Sequence, residues 1–405
     1  MTFHDGKTLT ADDVVFSLRR HLDPQVASKV AAIAKQMTDI KALDTATVQI
    51  TLAAPNADLP TILAMHHFMI VADGTTDFSQ GIGTDAFRLE RFEPGTRSVM
   101  SRNEAYFKTP APLQNFEFFA VADDTARANA LLSGDVHIAA NMKPAQLRLL
   151  ETQPGVVLER SIAGNYTNLN MRLDMAPGDR ADFVAGMRHL VNRAQIQRTV
   201  LRGICEPGNE QPVPPSSPYF NADLAAPAHD PEKAKALFSK AGLLGQSVPV
   251  ITSDAASSAI DMAMVVQAAG AEIGMKLDVQ RVPSDGYWSN YWLKAPIHFG
   301  NINPRPTPDI LFSLLYASEA PWNESKYKSE KFDKMMLEAR ATLAWPKRKE
   351  IYDQMQVMIA EEAGTIIPAY ISNVDAITDR LKGLQPNPLG GMMGYAFAEY
   401  VWLTA

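Results

Sequence analysis

Residues 3–17 read FHDGKTLTADDVVFS. The triplet Asp5-Gly6-Lys7 is typical of a turn, because Gly tolerates positive φ and Asp caps turns. Thr10 followed by Asp13 is a helix N-cap pattern. Apolar residues then recur with helical spacing, at positions 11, 14, 15, 18 and 22. The stretch therefore predicts a turn followed by a helix with one apolar face.

Several segments downstream carry equally clear local signals. Residues 87–92 and 98–101, separated by Glu93-Pro94-Gly95, predict a β-hairpin. Asp230-Pro231 predicts a helix start, with Asp as the cap and Pro as the first helical residue. After that helix the pattern alternates between strand and helix, which indicates a mainly parallel sheet. The elements concerned are a strand at 248–252, a helix at 259–270 and a strand at 276–282, and then two long helices at 331–344 and 347–363 and a strand at 365–370.

Together these segments resemble the signatures of the family 5 extracellular solute-binding proteins, which carry peptides, nickel or other solutes to ABC importers. The resemblance rests on residues 3–17, on DDTARANALLSGDV at 123–136, on NYTNLNM at 165–171 and on the helix that begins at Asp230. In that family the first signature lies well inside the chain, whereas here it begins at residue 2. The resemblance therefore implies a missing N-terminal block, and we expect the 405-residue chain alone to be destabilised and to bind its solute weakly.

The resemblance also implies the fold, which is α/β and is the two-lobed periplasmic binding protein fold of class II, cluster C type. Its mixed sheets are flanked by helices, it has a small extra domain, and a ligand is enclosed between lobes that close by a hinge. Mapped onto this chain, residues 1–80 form part of the small extra domain. Residues 81–162 and 376–405 form part of lobe I, and residues 167–375 form lobe II.

Composition excludes several classes of protein. The net charge of -7 and the lack of a basic run with interleaved aromatics argue against nucleic-acid binding. No apolar stretch reaches the roughly 20 residues that span a bilayer. The single cysteine, Cys205, excludes an intramolecular disulfide and a multi-cysteine zinc site. No signal peptide is visible, but the resemblance implies a periplasmic location for the intact protein. We expect a monomer without metal or cofactor.

Candidate ligand-binding residues cluster first in the segment 301–309, NINPRPTPD. Its three prolines predict a stiff loop between a strand and a helix, which is where open α/β sheets bind ligands. In peptide-binding relatives this loop carries a Trp and an Asp that holds the peptide's amino terminus, and the resemblance places neither residue here. The candidates are Asn301, Asn303, Arg305 and Asp309, with Arg305 or Asp309 as the substitute charge. The alternative is a loop without a ligand.

Further candidates lie outside this loop, in lobe II and at the hinge. Trp322 and Asn323 offer an apolar face beside an amide. Tyr166 and Asn168 lie on the predicted inter-domain strand, and Trp288 shares a helical face with Trp292. Packing or strand hydrogen bonding is the alternative for each of them.

The predicted strand that ends near Asp254, another candidate, lacks the Arg that dipeptide-binding relatives use for the peptide carboxylate. A buried charge without a partner is costly, so we hypothesise that the ligand is not a zwitterionic dipeptide. Calorimetric binding of a dipeptide by the full-length protein would refute this.

The function that follows is the substrate-binding component of an ABC importer. It captures a small peptide or a related polar solute, without chemistry of its own, for permease subunits and their ATPase. One alternative is a sensory ligand-binding domain that signals to a membrane receptor. A less favoured alternative is a hydrolase of small peptides, which needs a nucleophile–base pair or a metal cluster, and the sequence shows no such pattern.

Overall fold

The computed structural model describes residues 1–404, and of Ala163 it describes the main chain alone. The chain divides into two compact units. Unit 1 comprises Met1–Glu159, Val374–Pro386 and the residues from Gly391 onward, and unit 2 comprises Arg160–Asn373 and Asn387–Gly390. The finer division predicted from the sequence, with a separate small domain at 1–80, stays a prediction.

The helices predicted after Thr10, from Asp230, and at 259–270, 331–344 and 347–363 are all present, with bounds that differ by a few residues. The helices of unit 1 are α1 (Ala11–Arg19), α2 (Ala31–Ala34), α3 (Leu59–Leu63), α4 (Asp124–Ser133) and α5 (Pro144–Leu150). Those of unit 2 are α6 (Ala181–Leu190), α7 (Arg193–Gln195), α8 (Pro231–Lys240), α9 (Ala259–Glu272), α10 (Tyr287–Asn290), α11 (Pro308–Leu315), α12 (Glu330–Ala341) and α13 (Trp345–Glu362). Within residues 1–404, none of the helices has both the length and the apolar composition that crossing a bilayer requires.

The strands lie in several sheets. Those up to the first crossing between units are β1 (Met37–Ala42), β2 (Val48–Leu52), β3 (Phe87–Glu93), β4 (Arg97–Arg102), β5 (Asn115–Phe119), β6 (Ile138–Ala139) and β7 (Val156–Met171). The remainder are β8 (Cys205–Pro207), β9 (Ser247–Thr252), β10 (Lys276–Arg281), β11 (Ile297–Ile302), β12 (Thr365–Ile366), β13 (Ala369–Thr378), β14 (Leu381–Lys382) and β15 (Trp402–Leu403). Strands β7 and β13 each run from one unit into the other.

In unit 1 the opening signature folds as predicted. The carboxylate of Asp13 accepts hydrogen bonds from the main-chain N–H of Thr10 (2.7 Å) and from Nζ of Lys7 (2.7 Å). Burial alone would raise the pKa of Asp13, but these hydrogen bonds outweigh it and lower the pKa to about 2. The predicted hairpin is also confirmed, since β3, β4 and β5 pair as an antiparallel sheet.

The sheet of unit 2 is mixed. Strands β10, β9 and β11 are parallel, as the alternation of strand and helix predicts. The expectation of a mainly parallel sheet is wrong beyond β11, because β7 pairs antiparallel with β11 and with β12. Helices α6, α8 and α9 contribute to the apolar core. Gly186 of α6 lets α8 approach closely, since a Cβ there would lie 2.7 Å from Cε1 of Phe238.

The strand predicted at 365–370 is interrupted. The structure has β12 up to Ile366 and β13 from Ala369, with Ile367-Pro368 between them. Pro368 has no N–H to donate to a ladder, and the N–H of Ile367 donates to Oε2 of Glu210 (2.9 Å). The other oxygen of Glu210 pairs with Arg193, so a buried ion pair holds this break in place.

Candidate functional site

The loop 303–307 lies in unit 2 between β11 and α11, as the sequence predicts. Thr307 is the N-cap of α11, and its Oγ1 accepts from the N–H of Ile310 (3.4 Å). Pro304 packs where Gly164 of β7 has no side chain, since a Cβ on Gly164 would lie 3.0 Å from Cβ of Pro304. The fold therefore fixes both ends of the loop and one of its sides.

Arg305 is half-buried within this loop. Its Nη1 donates to the carbonyl oxygens of Asn303 (3.1 Å) and Pro304 (3.0 Å). The guanidinium carbon lies 5.8 Å from the ring centroid of Trp322, which is within cation–π range. Asn303 itself is exposed, and its side chain has no hydrogen-bond partner among the described residues.

An aromatic row leads away from Arg305, and it consists of Trp322, Trp292, Trp288 and Tyr287. Successive ring centroids are 6.0 Å, 5.5 Å and 5.1 Å apart, with the rings edge to face. Trp288 is 41% exposed, while Tyr287 is fully buried and donates its hydroxyl proton to the carbonyl of Phe299 (2.6 Å). The row thus connects a buried aromatic anchor to a half-buried platform beneath Arg305.

One face of β7 is polar although it is buried. Tyr166, Asn168 and Asn170 alternate along the strand and so share a face of the sheet. All three side chains are fully buried. Oδ1 of Asn168 has no hydrogen-bond partner among residues 1–404. Buried polar groups without partners are rare, which makes this face a candidate for function.

A buried carboxylate covers this face, and it belongs to Glu324. Its Oε1 accepts from Nε1 of Trp292 (2.6 Å), and its Oε2 accepts from Nδ2 of Asn168 (2.6 Å). The same Nδ2 also donates to Oδ1 of Asn170 (3.0 Å). Burial raises the pKa of Glu324 to about 7, although these hydrogen bonds act in the other direction. We call Glu324, Asn168, Asn170 and Trp292 the buried carboxylate cluster.

Gly300 makes room for this cluster. It is the cross-strand partner of Asn168 in the β7–β11 pair. A Cβ at residue 300 would lie 1.8 Å from Oε1 of Glu324 and 2.5 Å from Oδ1 of Asn168. Any side chain there would therefore overlap the carboxylate.

Four of the predicted ligand-binding residues are engaged within unit 2. Asn301 donates from Nδ2 to Oγ1 of Thr167 (3.1 Å). Asp309 is 1% exposed and accepts from Nε of Arg340 (2.9 Å). Asn323 is buried and exchanges two hydrogen bonds with the main chain of Tyr327, and Asp254 forms an exposed ion pair with Arg281.

The structure brings Arg305 and Trp322 together, and the aromatic row connects them through Trp292 to Trp288. It holds Tyr166 and Asn168 on a neighbouring face of the sheet. Sequence reasoning missed Glu324 and Gly300. The period-two pattern of residues 166, 168 and 170 pointed to a polar strand face, but no pattern in the sequence indicates that Glu324 covers it.

The structure also has a cavity in unit 1 that is not formed by the predicted ligand-binding residues. Unit 1 holds a largely apolar cavity of about 540 Å³, lined among others by Phe116, Phe118, Met392, Phe397 and Val401. The predicted ligand-binding residues do not line it. Across residues 1–404, His, Cys, Asp and Glu side chains form no group of three or more that could hold a metal ion.

Comparison with known proteins places the chain in context. The family model described as bacterial extracellular solute-binding proteins, family 5 Middle, matches residues 1–324. The dipeptide-binding protein of Escherichia coli (strain K12) is 26% identical over an alignment 424 positions long, gaps included, which covers 96% of this chain and 78% of that protein. Heme-binding protein A of Haemophilus influenzae is 25% identical, with the same two coverages.

Solved structures agree on the fold. The periplasmic binding protein DppA from Helicobacter pylori, in complex with the peptide STSA, superposes with a TM-score of 0.85 at 20% identity, covering 100% of this chain and 84% of that one. NikZ from Campylobacter jejuni, in complex with Ni(L-His), gives a TM-score of 0.85 at 19% identity, covering 99% and 86%. The α/β two-lobed fold expected from the sequence is confirmed. Because the family model matches most of the chain, the protein belongs to the bacterial extracellular solute-binding proteins of family 5.

Proposed function

We propose that the chain captures a small peptide or a related polar solute for an ABC importer and delivers it to a permease and its ATPase. The observation that carries this is the family match over residues 1–324. Relatives named as dipeptide-binding and di/tripeptide-binding proteins support a peptide-like cargo. Neighbours solved with Ni(L-His) or agropinic acid indicate that the fold alone does not fix the cargo.

The residues that support solute contact best are Arg305, Trp322, Trp288 and Asn303. Their side chains have hydrogen-bonding groups or aromatic surface left over for contact with a solute. Asp309 and Asn323, in contrast, use their polar groups in hydrogen bonds within the fold. Ligand pockets commonly combine aromatic walls with a few well-placed polar groups. The local geometry of unit 2 is consistent with this pattern.

The proposal extends to setting and mode of action. We propose that the protein works in the periplasm as a monomer and performs no chemistry on its cargo. Support comes from its relatives, which are named as binding proteins, one of them as a periplasmic-binding protein of a peptide ABC transporter.

A thermal-shift screen tests the proposal. The panel holds free peptides, N-acetylated peptides, amino-acid conjugates, sugars and metal ions. A ligand that binds only the native state raises the melting temperature by mass action. We expect one solute class to raise it with a concentration dependence that saturates. A protein that melts cooperatively and shifts with no class would overturn the proposal.

A further inference from the structure

Arg305 is a cation whose hydrogen-bonding capacity the protein leaves mostly unused. A guanidinium has five N–H donors, and here Nη1 alone donates, to two carbonyl oxygens of its own loop. Within residues 1–404, no carboxylate lies within ion-pair distance of Arg305. Burial lowers the pKa of Arg305, and the nearby Tyr166 acts in the opposite direction.

Other arginines of unit 2 are compensated in two ways. Arg193 pairs with Glu210, and Arg340 pairs with Asp309. Among residues 1–404, Arg188 has no ion-pair partner but donates from both Nη1 and Nη2 to main-chain carbonyl oxygens, whereas only Nη1 of Arg305 donates. A charge removed from water without a counter-ion is unfavourable by several kcal/mol. Arg305 is therefore held half-buried at a cost that no acidic side chain of the described protein offsets, and an anion supplied from outside would offset it.

The surroundings of Arg305 favour a planar anion. The guanidinium carbon lies 5.8 Å from the ring centroid of Trp322, and Nε and Nη2 of Arg305 make no hydrogen bond among the described residues. These two nitrogens form the edge of parallel N–H donors that a carboxylate matches. A carboxylate at Arg305 would thus meet a fork of donors beside an aromatic platform.

Three acidic side chains of unit 2 are engaged within the fold. Asp309 pairs with Arg340, Asp254 pairs with Arg281, and Glu324 accepts from Trp292 and Asn168. The loop 303–307 therefore presents a cation, and these three carboxylates are not free to pair with an ammonium group. A solute with a free ammonium would gain no partner from them, which favours a cargo whose amino group is blocked or absent.

We propose that Arg305 binds a carboxylate of the solute, with Trp322 packed against the guanidinium, so that the cargo is a carboxylate-bearing solute without a free amino group, such as an N-acylated peptide or amino acid. This rests on the proposed solute-binding function and names the chemical class of its cargo. It assigns Arg305 the main role in charge recognition.

The test compares matched ligand pools by thermal shift and calorimetry. One pool holds N-acetyl di- and tripeptide acids, a second holds the same peptides as C-terminal amides, and a third holds the free zwitterionic peptides. We expect the acid pool to raise the melting temperature and the other two to do so much less. Equal shifts from acids and amides, or a preference for free peptides, would contradict the proposal.

Variants of Arg305 complete the test. Arg305→Gln should weaken binding of the best acid by about 30-fold or more, as for other truncations of a hydrogen-bonded charge pair. Arg305→Lys keeps the charge and should retain part of the affinity, which separates a binding defect from misfolding. Arg198→Gln, an exposed change in the same unit, is the control and should bind as the wild type does.

The outcomes separate the two levels of the proposal. If the wild type binds a solute of any class and Arg305→Gln binds it equally well, Arg305 is not the recognition residue and this inference is wrong. If the folded wild type binds no solute of any class, the proposed function itself fails, and the inference fails with it.

Discussion

Gly300 and Glu324 depend on each other. The carboxylate of Glu324 occupies the space that a side chain at residue 300 would need, and the missing side chain lets the buried carboxylate cluster cover β7. Protein interiors are close-packed, so one added methyl group lowers the stability of the fold when the neighbouring atoms cannot move. The neighbours here are held by hydrogen bonds to Trp292 and Asn168.

Gly300→Ala should therefore destabilise unit 2. We expect a loss of about 2 kcal/mol or more in the free energy of unfolding, towards the upper part of the range for overpacking. Denaturant titration followed by tryptophan fluorescence measures this. Gly83→Ala is the matched control, because a Cβ there meets nothing closer than 3.9 Å. Equal stability of the two variants would show that the buried carboxylate cluster moves to accommodate the added methyl group at little cost in free energy.

Glu324 should also make stability depend on pH. Burial raises its pKa from 4.5 to about 7. Below both values the carboxyl is protonated in the folded and unfolded chain and contributes nothing. As the pH rises from 4.5 to about 7, the unfolded chain releases the proton before the folded chain does, so rising pH favours unfolding. The full difference is worth up to roughly 3 kcal/mol.

Glu324→Gln should remove this dependence. The amide oxygen keeps an acceptor for Nε1 of Trp292. The NH₂ group then replaces the oxygen that accepts from Nδ2 of Asn168, so that hydrogen bond is lost unless the Asn168 amide turns over and offers Oδ1. Unfolding free energies of wild type and variant, measured at about pH 5 and about pH 8, should diverge in favour of the variant at the higher pH. The same difference in unfolding free energy between wild type and variant at both pH values would show that Glu324 has the same pKa in the folded and the unfolded chain.

For single residues, the sequence predicts the loop 303–307 and the aromatic candidates, but it does not predict which side chains form hydrogen bonds with each other. Arg305 and Trp322 could be singled out because stiff loops and exposed aromatics often contact ligands. The engagement of Asp309 by Arg340 could not, since the two residues lie 31 positions apart and only tertiary packing joins them. The same holds for Glu324 and Trp292.

Individual helices are specified more locally. Asp230 caps α8 through its Oδ1, which accepts from the N–H of Lys233 (2.9 Å), and Pro231 occupies the first helical position. Asp123 caps α4 in the same way, accepting from Ala126 (2.8 Å). These contacts span three residues, so the sequence pattern alone suffices to predict them. The break at Ile367-Pro368 depends on the distant Glu210 and was not predicted.

Asp230→Ala should destabilise the protein by about 1 kcal/mol, because an N–H at the start of α8 loses its partner. Lys235→Ala on the exposed side of the same helix is the control and should change the stability by less than about 0.5 kcal/mol. Thermal melts at a common pH compare the two. A larger effect of Lys235→Ala would mean that the cap adds little to this helix.

Across the whole molecule, the two units bury their strands to different degrees. In unit 2, β11 is buried at every position except Asn301. In unit 1, strands β3, β4 and β5 contain no buried residue. Local opening is easier where few apolar contacts close over the backbone.

Hydrogen exchange should therefore be slower in β9 and β11 than in β3, β4 and β5. Mass spectrometry of peptides from these strands in the ligand-free protein measures it. Both sets are protected by ladder hydrogen bonds, since β3, β4 and β5 pair with each other while β9 pairs with β10 and β11 pairs with β7. The difference therefore reports burial rather than the presence of a ladder. Equal protection in the two sets would show that exposure in β3–β5 does not lower local stability.

The overall architecture was the most predictable level, because motifs from residue 3 to residue 238 carry the family resemblance together. Strand direction was less predictable. The alternation of strand and helix holds for β9, β10 and β11, but β7 reaches the sheet as a strand of 16 residues without a crossover helix and pairs antiparallel. A periodicity along the chain does not encode the direction of a distant partner strand.

Cys205 has a practical consequence for spectroscopy. It is the only cysteine of the chain, it lies partly buried in β8, and burial raises the pKa of its thiol to about 11. At neutral pH it is a protonated thiol, which is a poor nucleophile towards maleimides and methanethiosulfonates. Newly introduced surface cysteines would outcompete it, so pairs of fluorophores or spin labels can be attached to the native background without first removing this residue.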